Sequence, residues 1–297
     1  MKPNTTNTPL GTQLLLTAIA PLIWGTTYLV TSEWLPAGRP FTAAALRCLP
    51  AGLLLLLCFR QWPRRQDWGP LALLSALNIG AFQALLFVAA YRLPGGVAAV
   101  VGAIQPLLVM AMAWAMDGRR PRRLALAAGT GGVLSMAALL LAPGAAWDAV
   151  GVSAALVGAA CMAAGTFLSR RWRIDLPVLP LTGWQLLLGG LMLLPWALWL
   201  DPALTQISAS EAGAYLYLSL IGTLLSYALW FRGLRVLPPV SVASLGLLSP
   251  LCAVLLGWLW LDQGLSPIGA LGFLGVLISI ALVQRASLSS AAPGTKA

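Results

Sequence analysis

Apolar residues fill this chain in runs of about twenty, separated by short stretches that hold most of its Arg residues and many of its prolines. The runs fall near 12–32, 40–60, 68–91, 94–116, 123–142, 150–170, 178–200, 212–233, 239–261 and 266–284. A helix needs roughly 20 apolar residues to cross the hydrocarbon core of a bilayer. The pattern therefore predicts ten transmembrane helices, here called spans one to ten, with no water-soluble domain between them. The expected fold class is an all-α integral membrane protein.

One run breaks its own pattern. In AIQPLLVMAMAWAMDG, residues 103–118, a Gln and a Pro interrupt the middle of span four. Pro106 removes a helix hydrogen bond, and Gln105 carries an amide that lipid cannot satisfy. Both features suit a helix that faces a polar pathway and not the lipid.

Composition sharpens the class. The chain is 59% hydrophobic and 9% charged, against about 45–50% and about 25% for globular chains. Its net charge of +10 is distributed by side of the membrane. With the N-terminus in the cytoplasm, 15 Lys and Arg fall on that side, including Arg60, Arg64, Arg65, Arg122, Arg171 and Arg235. Only Arg39 and Arg92 fall on the far side, and Arg47 lies inside span two. This is a positive-inside bias, which places both termini in the cytoplasm. It also makes membrane lipid, not nucleic acid, the expected neighbour of the basic residues. Cys48, Cys58, Cys161 and Cys252 lie within apolar runs without metal spacing and are expected to pack as small apolar groups. Span one is longer than a signal-peptide core and is expected to be retained.

The second half repeats the first. The stretch SLGLLSPLCAVLLGWLWLDQG, residues 244–264, places Pro250 where span four has Pro106, and each helix closes near an acid, Asp117 or Asp262. At the same offset of 144, Ser75 meets Ser219, Ala84 meets Ala228, Phe87 meets Phe231 and Pro94 meets Pro238. Earlier, Gly25-Thr26 resembles Gly165-Thr166, and Ala51-Gly52 resembles Gly189-Gly190; later, Gly129 meets Gly272. The expected division is 1–145 and 146–297, five spans each. An odd number of spans sends the second copy through the membrane in the opposite sense. Inverted repeats of this kind supply the two mirror-related conformations that alternating access requires.

With Trp24-Gly25 in span one, Arg47 in span two, a Pro in spans four and nine and an acid closing each, the chain resembles the EamA family of the drug/metabolite transporter superfamily. The resemblance covers roughly residues 12–284, with Asp117 and Asp262 where the family usually has Glu. It implies a ten-span, five-plus-five transporter. Relatives of this type include bacterial exporters of amino acids, aromatic ones among them, and of other small metabolites.

Polar groups inside a span must find partners, which makes them candidates for a substrate site. Arg47 is either a structural anchor or a clamp for a substrate carboxylate. In span three, Ser75, Asn78 and Phe82 share a helical face with Gln83 beside it; in span eight, Ser219, Thr223, Ser226 and Trp230 share one with Tyr227 beside it. These matched stripes are expected to line a cavity, with interhelical hydrogen bonding as the alternative. Gln105, next to Pro106, is expected to face the same pathway, with a plain proline kink as the alternative. Ser244 lies in the matching part of span nine. Trp24 and Tyr28 in span one complete the candidate substrate-binding set. Trp34, Trp62, Trp68, Trp147, Trp172 and Trp199 lie near span ends and fit an interfacial belt.

The chain has no His and shows no acid pair, nucleotide-binding Gly–Lys motif or metal-ligand cluster. No cofactor, metal or enzymatic activity is therefore expected. The expectation is an exporter of aromatic or neutral amino acids or related metabolites in a bacterial inner membrane. It works by alternating access, with a single copy of the chain as the expected unit. Its eight acids fall near span ends or in loops, so a mid-membrane proton relay is missing and facilitated diffusion is expected. The alternatives are an exporter of cationic drugs, an intramembrane enzyme and a non-transporting structural or sensory subunit.

Overall fold

A computed structural model describes residues 9–93, 95–141, 148–204, 206–260 and 264–288. Among them are ten helices long and apolar enough to cross a membrane, and no strand. Span one is Leu10–Trp34, span two Pro40–Phe59, span five Arg123–Leu140, span six Ala149–Trp172, span seven Val178–Leu200 and span ten Pro267–Leu288. The remaining four are interrupted. Span three joins Trp68–Ser75, a π-helical segment Ala76–Gly80 and Ala81–Arg92. Span eight joins Ala209–Ser219, a π-helical segment Leu220–Leu225 and Ser226–Val236. Span four is Gly95–Gly102 and Gln105–Asp117; span nine is Pro239–Leu245 and Leu248–Trp260.

The molecule turns its large apolar side chains outward. Leu15, Leu134, Leu198, Trp199 and Leu271 are largely exposed, a surface that lipid accepts and water does not. Helices are the natural element here because lipid offers no partner for backbone N–H and C=O groups. Apolar side chains gain little by leaving lipid, so the interior is held by close packing of small residues. Span two lies along span seven, and span five along span ten. A Cβ on Gly52 would stand 2.6 Å from the Leu187 nitrogen, and one on Gly272 2.6 Å from the Ser135 oxygen. Backbone meets backbone at both places.

The irregularities recur at matching positions. The two π-helical segments begin 144 residues apart, at Ala76 and Leu220. Ser226 supports the second by donating from Oγ to the Ile221 carbonyl at 2.8 Å. Spans three and eight end alike: the Leu93 N–H bonds the Ala89 carbonyl at 2.8 Å, and the Leu237 N–H the Gly233 carbonyl at 2.8 Å. In the breaks, the Ala103 N–H is shared between Ala99 at 3.0 Å and Val100 at 3.1 Å, and Leu247 bonds Ser244, three residues back, at 3.2 Å. Proline causes the tightening, since Pro106 and Pro250 cannot donate to the turn before them. The Gly246 carbonyl is not left open by Pro250; it accepts the Ser249 N–H at 3.1 Å. A turn that loses its four-back donor can shorten to a three-back bond.

Contacts between the halves are self-matching. Span three packs on span six and span eight on span one, the same pair with the halves exchanged. At one end of the bundle Arg171 pairs with Asp117 and Arg64 with Asp175 at 2.5 Å. Asp262, the second acid of the repeated pattern, lies outside the described residues, as do Pro94 and Trp147.

Candidate functional site

Span eight places Tyr227, Trp230 and Phe231 on the inner side of the bundle, each almost fully buried. Trp24 of span one is the hub. Its ring centroid lies 5.0 Å from that of Tyr227 and 5.1 Å from that of Trp230, both tilted. Phe231 stacks on Tyr227 at 5.7 Å. Phe82 of span three packs against the same cluster. Gln83, its neighbour, donates from Nε2 to the Tyr227 hydroxyl at 3.2 Å. Gln83 and Tyr227 stand 144 residues apart, the repeat offset itself. Each residue therefore touches its own counterpart.

The breaks in spans four and nine meet beside this cluster. A Cβ on Gly246 would lie 3.7 Å from Trp230 Cη2 and 3.9 Å from Gln105 Oε1. The span-nine break thus lies beside both side chains. Around this centre, Trp24 Nε1, Trp230 Nε1, Gln105 Nε2 and Gln83 Oε1 are buried without a hydrogen-bond partner among the described residues. An unsatisfied buried polar group costs about 1–3 kcal/mol. Three donors and one acceptor left open in a buried aromatic cluster are a set of groups that a polar ligand would satisfy.

Arg47 and Asn78 are engaged in hydrogen bonds of their own. The Arg47 guanidinium donates from Nε to Thr223 Oγ1 at 2.8 Å and from Nη2 to the Gly222 carbonyl at 2.8 Å. It thereby ties span two to the π-helical segment of span eight. Asn78, in the π-helical segment of span three, donates to Gln185 Oε1 of span seven at 2.8 Å and to Ser169 Oγ at 3.2 Å. The two contacts are counterparts. Gly222 stands 144 residues after Asn78, and Gln185 follows Arg47 by the 138 that separate Gly52 from Gly190.

The sequence-derived candidates divide accordingly. Trp24, Phe82, Gln83, Gln105, Tyr227 and Trp230 come together, while Arg47 and Asn78 make hydrogen bonds of their own. Ser226 spends its hydroxyl on the π-helical segment. Ser244 belongs to a separate network: it donates to the Ser241 carbonyl at 2.9 Å and accepts from Gln284 Nε2 at 3.0 Å. The side chain of Tyr28 lies outside the described residues. Gln185 and Phe231 were not among the candidates. Gln185 had a signal, since it is an amide in a span otherwise apolar but for Thr182 and the counterpart of Arg47. Phe231 had only its match to Phe87, and an apolar residue in an apolar span does not stand out.

Gln185 and Phe231 border a cavity of about 390 Å³ at the Arg-rich end of the bundle. Its wall is completed by Leu74, Leu181, Leu234 and Ile174, by Ser169, and by Arg170, Arg173 and Arg235.

Comparisons with known proteins agree with this architecture. A crystal structure superposes with a TM-score of 0.80 over 95% of this chain and 99% of its own, at 21% identity. Protein PecM of Dickeya dadantii is 40% identical over 273 residues, 91% of this chain and 92% of PecM. The uncharacterized inner membrane transporter YedA of Escherichia coli K12 is 28% identical over 271 residues, 88% of this chain and 87% of YedA. The sequence profile of the EamA-like transporter family matches residues 11–142 and 149–285. The chain, with its ten apolar helices and interrupted spans, belongs to the EamA-like transporter family.

Proposed function

We propose that this membrane transporter exports aromatic or neutral amino acids, or closely related metabolites, across a bacterial inner membrane by alternating access between two inverted halves. The observation that carries the substrate class is the aromatic cluster of Trp24, Tyr227 and Trp230 with its open indole N–H groups and its Gln83 and Gln105 amides. Aromatic faces suit an apolar side chain, and convergent donors and an acceptor suit a zwitterionic head. A cationic drug would need an anionic partner at this depth. None of the described residues of the cluster is an acid.

The recurring π-helical segments and breaks, the self-matching contacts and the Gln83–Tyr227 pair support the inverted division into 1–145 and 146–297. Exchange of conformation between the halves would move the opening from the Arg-rich face to the opposite one. The positive-inside rule makes the Arg-rich face cytoplasmic, with both termini. Reporter fusions in the loops holding Arg65 and Arg122 are expected to be cytoplasmic, and a fusion at Pro202 external. If the Arg122 and Pro202 fusions report the same side, this orientation is wrong.

Reconstitution into liposomes tests the transport claim. L-phenylalanine is expected to equilibrate, and neither a pH nor a sodium gradient should drive it uphill, since no acid lines the cluster. Sustained accumulation under either gradient would rule out facilitated diffusion. The site is tested with Trp230→Phe, which keeps an aromatic ring and removes the N–H. Trp230→Ala is the wrong probe: the side chain is 1% exposed, and such truncations cost about 3–5 kcal/mol. Trp230→Phe and Gln105→Leu should each slow transport about tenfold, the weight of about 1.4 kcal/mol. Wild-type rates from both folded variants would place the pathway elsewhere.

A further inference from the structure

The cavity of about 390 Å³ at the Arg-rich end has a chemistry distinct from the aromatic cluster. Its size is within the range of small-molecule sites. The ends of spans six and eight bring Arg170, Arg173 and Arg235 to its wall, and no carboxylate lines it among the described residues. Of the acids nearby, Asp117 pairs with Arg171 and Asp175 with Arg64, and Asp175 also lies close enough to act on Arg235. Arg170 donates to the Arg235 carbonyl, and Arg235 to the Leu176 carbonyl. These bonds hold two guanidiniums in place and use a fraction of their five donors each. Arg173 is exposed at the cavity's rim, with its guanidinium open to solvent or to a ligand.

The second observation lies at the cavity's inner end. Gln185 is fully buried and borders the cavity. Its Oε1 is held by Asn78, while its Nε2 has no partner among the described residues. Leu181, one turn before it on span seven, and Leu74 and Phe231 form apolar wall of the same cavity. The positive-inside rule accounts for arginines at this face. It does not account for their convergence on one cavity that ends in an unsatisfied buried amide.

We propose that this cavity is the loading site for the carboxylate of the substrate, reached before the aromatic cluster. Arg173 and the Gln185 amide hold the carboxylate, and the apolar wall holds the side chain. Phe231, stacked on Tyr227, is the partition between the loading site and the cluster. The proposal rests on the transporter function above and narrows the substrate to a carboxylate with an apolar body.

Binding to the purified full-length protein separates the two claims. Calorimetric titration uses three probes: L-phenylalanine, 3-phenylpropionate, which lacks the amine, and L-phenylalaninamide, which lacks the carboxylate. Both acids are expected to bind at least tenfold more tightly than the amide, and more weakly as salt rises. Arg173→Gln should weaken both acids about tenfold and leave the amide unchanged. Gln185→Leu should do the same without altering the salt dependence. Equal affinity for acid and amide, or acid affinity unchanged by Arg173→Gln, overturns the proposal. Arg173-dependent binding of phosphatidylglycerol alone, with neither acid bound, also overturns it and assigns the cavity to a lipid headgroup. Arg173-dependent acid binding without L-phenylalanine transport in liposomes would uphold the loading site and sink the proposed export.

Discussion

Gly52→Ala is expected to lower the thermal unfolding midpoint of the protein, although the same exchange at Gly131 is expected to leave it unchanged or raise it. Alanine is the better helix former by about 1 kcal/mol, so propensity alone predicts a gain at both positions. Space decides between them. A Cβ on Gly131 would meet nothing within 4 Å. A Cβ on Gly52 would stand 2.6 Å from the Leu187 nitrogen, 2.9 Å from the Gly183 oxygen and 3.1 Å from the Leu186 carbonyl carbon. All three are backbone atoms of span seven and cannot rotate away. The facing glycines are as tight: a Cβ on Gly190 would lie 2.8 Å from Leu49 Cδ2, and one on Gly183 2.9 Å from Leu55 Cβ. Spans two and seven must therefore separate at Gly52. Overpacking of this kind costs about 1–3 kcal/mol, and the upper end applies where both sides are backbone. The two variants are compared by thermal unfolding in the same detergent. A Gly52→Ala midpoint at or above wild type would show that this interface tolerates separation.

Arg47→Lys is expected to destabilise the protein by about 2 kcal/mol, the scale of one hydrogen bond to a charged group. The guanidinium works in two directions at once, Nε to Thr223 Oγ1 and Nη2 to the Gly222 carbonyl. An ammonium on a flexible stem concentrates its donors at one point and cannot reproduce that fork. Arg47 is 7% exposed, so water does not replace the lost bond. Thr223→Val removes the same contact from the other side. A double-mutant cycle over the two should be non-additive by more than about 0.5 kcal/mol. Transport should fall with stability, because the bond anchors the π-helical segment that leads into Tyr227 and Trp230. Wild-type stability with selectively weakened carboxylate transport would instead make Arg47 a substrate clamp.

Much of the molecule could be read from residue order. Apolar runs of about twenty residues leave few options for a backbone in lipid, and all ten appear within a few residues of their expected ends. The offset of 144 located Pro106 and Pro250, and with them the breaks in spans four and nine. It also matched Ser75 with Ser219, the residues before the two π-helical segments. The candidate site was legible where a polar or aromatic side chain interrupts a run, as at Gln83, Gln105, Tyr227 and Trp230. Gln185 meets the same criterion, but its bond to Asn78, 107 residues away, is visible only in the tertiary structure.

Residue order alone determined the class and the number of helices long enough to cross, and it supplied the expectations of an Arg-rich cytoplasmic side and of a duplication. Each follows from a local or averaged property: the hydropathy of a run, the charge of a loop, similarity at a fixed offset. Only the tertiary structure decided that Arg47 meets the π-helical segment of span eight, and that Ser244 bonds span ten while Gln105 meets the aromatic cluster. It alone also decided that Gln185 borders a cavity lined by arginines. The physical reason is that lipid rewards every apolar face nearly alike. Hydropathy can place a helix across the membrane, but which way it turns and what it touches are set by close packing of small residues and by a few hydrogen bonds between distant spans.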